Sequence, residues 1–213
     1  MLNVFLLIFI LIILYKKINK KKKFRCRQSP INIKSNKSII SNNLLVIEYL
    51  DKVLDGNIKF LDNNYHYMFS NNPKIIFNNE KFELIQLHFH NPSEHHIDNK
   101  KYDMEAHFVH KQINNDHYLV IGFLIEHGSE GPLDDFIKTT KSSKLRLDKK
   151  ILGQNYYYYP GSLTTHPYTS NVSWILFEKP ISSKYINFWN KDYGKARRIQ
   201  ENSNSEVLKF NFN

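Results

Sequence analysis

The fold of this chain is decided by residues 86–110, which read QLHFHNPSEHHIDNKKYDMEAHFVH and hold most of its histidines. Apolar and polar residues alternate from Phe82 to His90, which is typical of a β-strand. The alternation would separate two faces of that strand, with Gln86, His88 and His90 on one and Ile85, Leu87 and Phe89 on the other.

A second strand is predicted from Met104 to His110, where Glu105, His107 and Val109 would share one face. Between the two runs, residues 91–102 are rich in proline, aspartate and asparagine, as is usual for a hairpin loop. The pattern therefore predicts two antiparallel strands joined by a loop.

Three histidines can converge if this pairing forms, namely His88, His90 and His107. Three imidazole ligands leave one position of a tetrahedral zinc ion open, which is typical of a catalytic zinc site. The spacing alone is only moderately specific, because a lone histidine on a strand is more often a hydrogen-bonded structural residue. Gln86 and Glu105 each precede a predicted ligand by two residues, so each could accept that ligand's other N–H.

Several motifs carry a resemblance to a known family. The stretches concerned are QLHFH, PSEHHIDNKKY and MEAHFVHK in the hairpin, QSPINI at 28–33, and YPGSLTTHP at 159–167, followed by Trp174. Together they resemble the alpha-class carbonic anhydrases in their bacterial-like form. The resemblance implies a single domain, mainly β with a few short helices, around a large, mostly antiparallel twisted sheet.

The resemblance also implies a role for each residue of the site. The three zinc ligands and their two hydrogen-bond partners would be His88, His90, His107, Gln86 and Glu105. Glu94 and Thr164 would orient a zinc-bound hydroxide, and His66 would pass protons to solvent. The substrate-binding wall would be formed by Val109, Val120, Leu163, Thr164, Thr165 and Trp174. Without the resemblance, core packing would explain the apolar members and a solvated loop would explain His66.

The activity implied is the reversible, zinc-dependent hydration of carbon dioxide to bicarbonate and a proton, by attack of zinc-bound hydroxide. An alternative from another class is an adhesion or glycan-binding module on the same fold, with weak or no activity. A third possibility, hydrolysis of esters by the same site, is expected only as a side activity. The complete histidine set favours the enzyme.

The positive charge of the chain is concentrated near its start. Of the thirty basic residues, eight lie in residues 16–27, and the first 27 residues contain no acidic residue. The remainder is nearly balanced in charge. A domain without a basic stripe is not expected to bind nucleic acid.

Residues 1–15, MLNVFLLIFILIILY, form an apolar run that the basic segment 16–27 follows. At ~1.5 Å per residue a helix of this length spans about 22 Å, short of the ~30 Å hydrocarbon core of a bilayer. A signal peptide usually has basic residues before the apolar run. We therefore expect a membrane-anchored, single-pass protein, or an exported one, with the side of the membrane left open. The catalytic domain would be 28–213, and the anchor would replace the tryptophan-rich segment that precedes QSPINI in the family.

Cys26 is the only cysteine, so no disulfide can form within the chain. It would be either an unpaired thiol or a link between two copies in a disulfide-bonded homodimer.

The remaining secondary structure is less strongly patterned. Tyr118–Ile125 and Val172–Phe177 are predicted strands, the first a buried central one. Leu133–Lys141 and Ser182–Tyr193 are the predicted helices.

Overall fold

The computed structural model describes residues 27–41, 45–138, 143–152, 155–188, 193–201 and 206–211. The strands in these ranges are β1 (Asn32–Ile33), β2 (Ile39–Ser41), β3 (Leu45–Ile47), β4 (Val53–Leu61), β5 (Asn64–Phe69), β6 (Lys74–Phe77), β7 (Glu80–His90), β8 (His96–Ile97), β9 (Met104–Gln112), β10 (Tyr118–His127), β11 (Ser143–Arg146), β12 (Asn155–Ser162), β13 (Ser170–Phe177), β14 (Ile181–Ser183) and β15 (Leu208–Asn211). The helix α1 is Asp134–Lys138, and 3₁₀-helices span Ser35–Lys37, Lys149–Ile151 and Ile186–Phe188.

Within the described ranges, 13 strands form one sheet whose main path runs β11-β4-β5-β7-β9-β10-β13-β12-β15-β2. Strand β10 pairs in parallel with β13 and β14, and β15 pairs in parallel with β2, whereas the other pairs are antiparallel. The predicted fold class, mainly β around a large and mostly antiparallel sheet, is therefore confirmed. A separate parallel pair, β1 with β8, joins the QSPINI motif to the loop after β7.

Strands β7 and β9 are the predicted hairpin strands, and they pair antiparallel as expected. Their register shifts once, because Leu84 lies opposite His110 and Gln86 lies opposite Val109, which leaves Ile85 as an extra residue. Such a β-bulge reverses the alternation of faces on one side of it. The prediction for Ile85 is thus wrong: it packs on the same side of the sheet as Val109, whereas Leu84 packs on the other.

Two groups of buried residues cover the two faces of the central strands. We call the larger group the back core; it includes Leu87, Phe89 and Phe108. We call the other group the site-face cluster, whose buried members are Ile31, Ile33, Ile97, Tyr102, Val109, Val120, Leu124, Tyr157, Tyr159, Val172, Trp174 and Leu176. Central strands buried on both faces explain why Tyr118–Ile125 is continuously apolar.

The two helix predictions have different outcomes. Helix α1 lies within the predicted range Leu133–Lys141, although residues 139–142 lie outside the described ranges. The prediction for Ser182–Tyr193 is wrong in its described part, which holds the end of β14 and a 3₁₀-helix. Backbone pairing explains the difference, because Ile181–Ser183 extends the sheet beside residues 125–127 of β10. Such tertiary pairing outweighs a weak local helix preference.

The N-terminal predictions concern residues that lie outside the described ranges. The anchor in residues 1–15, the basic segment up to residue 26 and the dimer through Cys26 therefore stay predictions. None of the described helices is long and apolar enough to cross a membrane.

Candidate metal centre

The structure brings His88, His90 and His107 together on the face of the sheet that carries the site-face cluster. His88 lies directly opposite His107 in the β7–β9 pair, and His90 lies opposite Glu105. All three imidazoles are buried, and one nitrogen from each lies within 4.8 Å of the other two. Three nitrogens this close together can share one metal ion.

Hydrogen bonds fix which nitrogen of two of these histidines carries the hydrogen. His107 Nε2 lies 2.8 Å from Glu105 Oε1, and His90 Nδ1 lies 3.1 Å from the carbonyl oxygen of Gly194. A carboxylate and a carbonyl only accept, so these two nitrogens donate. The lone pairs are therefore on His107 Nδ1 and His90 Nε2, and the latter is buried without a hydrogen-bond partner in the part of the chain that the structure describes. This donor set fits a metal ion.

The electrostatic environment favours neutral imidazoles at two of the three positions. Burial lowers the pKa of His88 well below its ordinary value, and the neighbouring histidines lower it further. Burial also lowers the pKa of His90, although Glu94 partly opposes the effect. At His107 burial is outweighed by the carboxylates of Glu105 and Glu94, which raise the pKa. Neutral imidazole is the form that binds a metal.

Glu105 is the acceptor at the centre of a buried hydrogen-bond network. Besides His107, its carboxylate accepts from His95 Nδ1 at 2.7 Å and from the backbone N–H groups of Glu94 and His95 at 2.9 and 2.8 Å. Burial alone would raise its pKa, but the two imidazoles hold the pKa of Glu105 well below its ordinary range. Glu105, His95 and His107 are also close enough together to bind one metal ion. Their nitrogens and oxygens are already hydrogen-bonded to one another, so this set is not the candidate metal centre.

The network continues to the N-terminal motif and to the loop after β12. His95 Nε2 lies 2.5 Å from Tyr159 Oη, which lies 2.9 Å from Ser29 Oγ. Ser29 and Ser162 exchange two hydrogen bonds, each between one residue's backbone N–H and the other's hydroxyl. Motifs that are distant in sequence thus hold one predicted ligand, His107, through a chain of hydrogen-bonded side chains.

Two glycines make room for this arrangement. Gly122 lies opposite His107 in β10, and a Cβ atom there would come within 3.0 Å of Glu105 Oε1 and 2.7 Å of Leu176 Cδ1. Gly194 has a φ of +60° and would place a Cβ atom 2.3 Å from the Phe89 carbonyl oxygen. Its own carbonyl is the acceptor for His90, so this backbone conformation orients a predicted ligand.

The third histidine, His88, lacks the support that was expected. Gln86 Oε1 lies 2.5 Å from Nδ1 of His66, not from His88. His88 Nδ1 is buried without a hydrogen-bond partner among the described residues. His66 is opposite His88 in the β5–β7 pair, and its ring centroid lies 4.9 Å from that of His88. The expected Gln86–His88 bond is replaced because a neighbouring strand supplies a second histidine, which the local pattern of β7 does not contain.

Glu94 lies beside the histidines, but its predicted contact with Thr164 is not formed. Oε1 of Glu94 accepts from the backbone N–H of Arg197 at 2.7 Å. In the described part of the chain Oε2 has no hydrogen-bond partner, and it lies 3.5 Å from His90 Nε2 and 4.0 Å from His107 Nδ1. Thr164 is buried as well, and among the described residues no hydrogen bond from it reaches Oε2 of Glu94.

The predicted apolar wall is assembled as a continuous surface. Val120 of β10 lies opposite Val109 of β9 on one side and opposite Trp174 of β13 on the other. Leu163 packs against this cluster, and the Trp174 ring lies 4.9 Å from the His107 ring. Thr165, in contrast, is exposed.

Sequence reasoning missed several residues that position the site. Gly122 could have been found, because an isolated glycine in a strand often marks a close approach of neighbouring groups. Arg197 and Gly194 come from a segment with no strong pattern, and they reach Glu94 and His90 across 103 and 104 residues of sequence. No local signal in the sequence reports such contacts.

Comparison with known proteins gives a consistent result. The family model described as eukaryotic-type carbonic anhydrase matches residues 17–212, beginning inside the basic segment 16–27. A carbonic anhydrase from Nostoc sp. is 35% identical over 119 residues, which cover 50% of this chain and 45% of that protein. The chain spans about half the length of the curated relatives it matches.

Solved structures extend the similarity to most of the chain. Dioscorin complexed with ascorbate superposes with a TM-score of 0.73 at 26% identity, covering 88% of this chain and 87% of that one. The alpha-carbonic anhydrase of Thermovibrio ammonificans, complexed with sulfanilamide, gives a TM-score of 0.70 at 27% identity, covering 87% and 88%.

Proposed function

The chain belongs to the eukaryotic-type carbonic anhydrase family, and from that premise we propose that it catalyses the reversible hydration of carbon dioxide to bicarbonate and a proton. The observation that carries the proposal is the donor set. His90 and His107 each present a lone pair to the same point, with the opposite nitrogen already committed as a donor. Among the described residues His90 Nε2 is buried without a hydrogen-bond partner, so a metal ion would satisfy it.

We propose zinc as the metal, held by His88, His90 and His107. Nitrogen ligands from three histidines suit zinc and leave a position for water. When bound, zinc would act as a Lewis acid that lowers the pKa of this water toward neutrality, as is known for the carbonic anhydrases. Glu105 would keep His107 oriented with its lone pair toward the metal, and Gly194 would do the same for His90.

Glu94 and Thr164 are proposed to orient the attacking oxygen. Glu94 Oε2 is buried, unpartnered and within 4.0 Å of two ligand nitrogens. This carboxylate oxygen is proposed to accept the Thr164 hydroxyl hydrogen in the working site. Thr164 would then have only its lone pairs available to the reacting oxygen, which would fix the direction of that oxygen's own hydrogen.

Carbon dioxide is proposed to rest against Val109, Val120, Leu163 and Trp174. An apolar surface suits an uncharged, nonpolar molecule and is poorly hydrated. It lies directly beside His107, so a molecule bound on it would be next to the metal. Thr165 is proposed to contact substrate from the exposed loop.

Hydration releases a proton, and His66 is the proposed relay. An imidazole exchanges protons readily near neutral pH. The ring lies against His88, and its Nε2 is buried and unpartnered, so this atom could receive a proton from the site. The nearby side chain of Asn64, two residues before His66 on β5, donates its Nδ2–H to the Phe89 carbonyl at 2.9 Å, so it is not proposed as a second relay.

A second candidate function is a binding module on the same fold with weak or no activity. Two observations favour it: the similarity to dioscorin, which was solved with bound ascorbate, and the absence of a partner for His88 Nδ1 among the described residues. The two functions make different predictions for zinc content and turnover.

Stopped-flow hydration of carbon dioxide by the purified full chain tests the proposal, with zinc measured on the same sample and a sulfonamide as inhibitor. We expect one zinc per chain and turnover that the inhibitor abolishes. Val120→Tyr should keep the zinc and lose turnover, because the larger side chain occupies the wall, and exposed His127→Ala serves as the matched control. A folded chain without zinc or turnover would favour the binding module.

A further inference from the structure

Two histidines compete for one amide oxygen beside the candidate metal centre. Gln86 Oε1 lies 2.5 Å from His66 Nδ1, and both His88 Nδ1 and His66 Nε2 are buried with no hydrogen-bond partner in the described structure. His66 Nδ1 and His88 Nδ1 thus have one side-chain acceptor between them. From this we propose that His66 weakens metal binding by holding the amide that would otherwise support His88, a conclusion that rests on the proposed zinc site.

The competition follows from the register of the sheet. His66 lies opposite His88, and Met68 lies opposite Gln86, in the antiparallel pair of β5 and β7. Gln86 is therefore the diagonal neighbour of His66 across the pair and the same-face neighbour of His88 along its own strand. Both imidazoles are within reach of a side chain of this length, and the contact that is present is the one between strands.

The other two ligands show what His88 lacks. His107 donates to the Glu105 carboxylate, which accepts from His95 at the same time, and His90 donates to the Gly194 carbonyl, so each of these ligands has its acceptor. A hydrogen bond of this kind fixes the ring and makes the ligating nitrogen more basic. Losing one typically costs 10- to 100-fold in metal affinity. His88 is the ligand at which affinity can still be gained.

His66→Phe is the variant that separates the two roles of the ring. Phenylalanine keeps a flat ring against His88 but has no N–H, so Gln86 Oε1 would be free to accept from His88 Nδ1. We expect zinc to bind about tenfold more tightly than in the unaltered chain. Gln86→Ala should change affinity little, because its amide does not support His88 in the first place, and the double variant should lose the gain.

Zinc affinity of the four full-length proteins would be measured by competition with a chromophoric chelator. Equal or weaker binding by His66→Phe would overturn the inference. So would a gain that persists in the double variant, because Gln86 would then not be the cause.

A second measurement does not depend on metal. In metal-free protein, the ¹⁵N and ¹H resonances of His88 Nδ1–H report whether that group is hydrogen-bonded. We expect them to shift on His66→Phe and to return in the double variant, whereas unchanged resonances would contradict the inference. Failure of every protein to bind zinc would count against the proposed function, and the resonances would still decide the inference.

Discussion

Strand β9 has two faces that are equally buried and entirely different in chemistry. Met104, Ala106 and Phe108 belong to the back core, whereas Glu105 and His107 alternate with them and face the candidate metal centre. The strand carries one histidine on each face, since His110 lies on the side of the back core. Burial and residue type do not distinguish these two histidines.

Their hydrogen bonds do. His110 uses both nitrogens, with Nε2 at 2.9 Å from Tyr49 Oη and Nδ1 at 3.0 Å from the Leu119 carbonyl oxygen. His107 uses only Nε2, and its Nδ1 faces Glu94 at 4.0 Å. On this strand, the histidine with both nitrogens hydrogen-bonded is therefore the structural one, and the histidine with one nitrogen facing the candidate metal centre is the candidate ligand.

Removing each histidine in turn should give the largest contrast. His107→Ala is expected to lose stoichiometric zinc, because two imidazoles alone do not make a strong site. His110→Gln should keep one zinc per chain. Metal content after dialysis against a weak chelator measures both, and equal zinc in the two variants would refute the division between the faces.

Glu105→Ala should produce the next largest effect, on folding. Four donors would lose their acceptor in a site that excludes water, two of them backbone N–H groups. We expect the free energy of unfolding to fall by about 3–5 kcal/mol. Urea denaturation followed by tryptophan fluorescence measures it. A midpoint that stays at its original urea concentration would show that the network is not essential to stability.

Acid titration should test His110, the histidine on the back-core side of β9. Burial lowers the pKa of His110 to about 3, so the unfolded chain binds a proton below pH ~6.5 that the folded chain does not. Stability is therefore unaffected above this pH and falls as the pH drops below it. Below this pH, the free energy of unfolding of His110→Gln should depend less steeply on pH than that of the unaltered chain. The difference in slope should be about 1.4 kcal/mol per pH unit, the value for one proton. Urea midpoints at several pH values between 7 and 4.5 give both slopes; parallel curves would mean that His110 titrates normally.

Gly122→Ala should have the smallest effect of the four. The added methyl group would press on Glu105 Oε1 and Leu176 Cδ1. We expect a loss of about 1–3 kcal/mol in the free energy of unfolding. Gly128→Ala is the matched control, since its nearest neighbour is the movable Ser182 hydroxyl. Similar losses in both variants would argue against a specific fit at Gly122.

The sequence was sufficient to predict what depends on alternation along a strand. The pairing of β7 with β9 and the convergence of His88, His90 and His107 follow from period-two patterns, and the structure contains both. The partner of Gln86 was not predictable, because it depends on which strand lies next to β7. The acceptor for His90 was equally hidden, since Gly194 is 104 residues away.

The bulge at Ile85 shows where a correct local pattern fails. Uninterrupted alternation from Phe82 to His90 predicts that Ile85 lies on the same side of the sheet as Leu87. An extra residue in one strand leaves the pattern intact on each side of it and changes only the relation between the two sides. The two adjacent apolar residues Leu84-Ile85 are the local mark of that change, because the apolar positions are even-numbered before the pair and odd-numbered after it.

The same bulge sets a condition for anyone who would transplant this site into an artificial protein. Leu84 and Leu87 face the same core although they are an odd number of residues apart, and only the unpaired Ile85 makes this possible. A regular strand carrying His88 and His90 would turn its upstream apolar residues to the wrong side of the recipient sheet. A transferred site must therefore include the bulge at Ile85 as well as the histidines. A design that replaces the bulge with a regular strand would need a new apolar pattern in the part of β7 before Ile85.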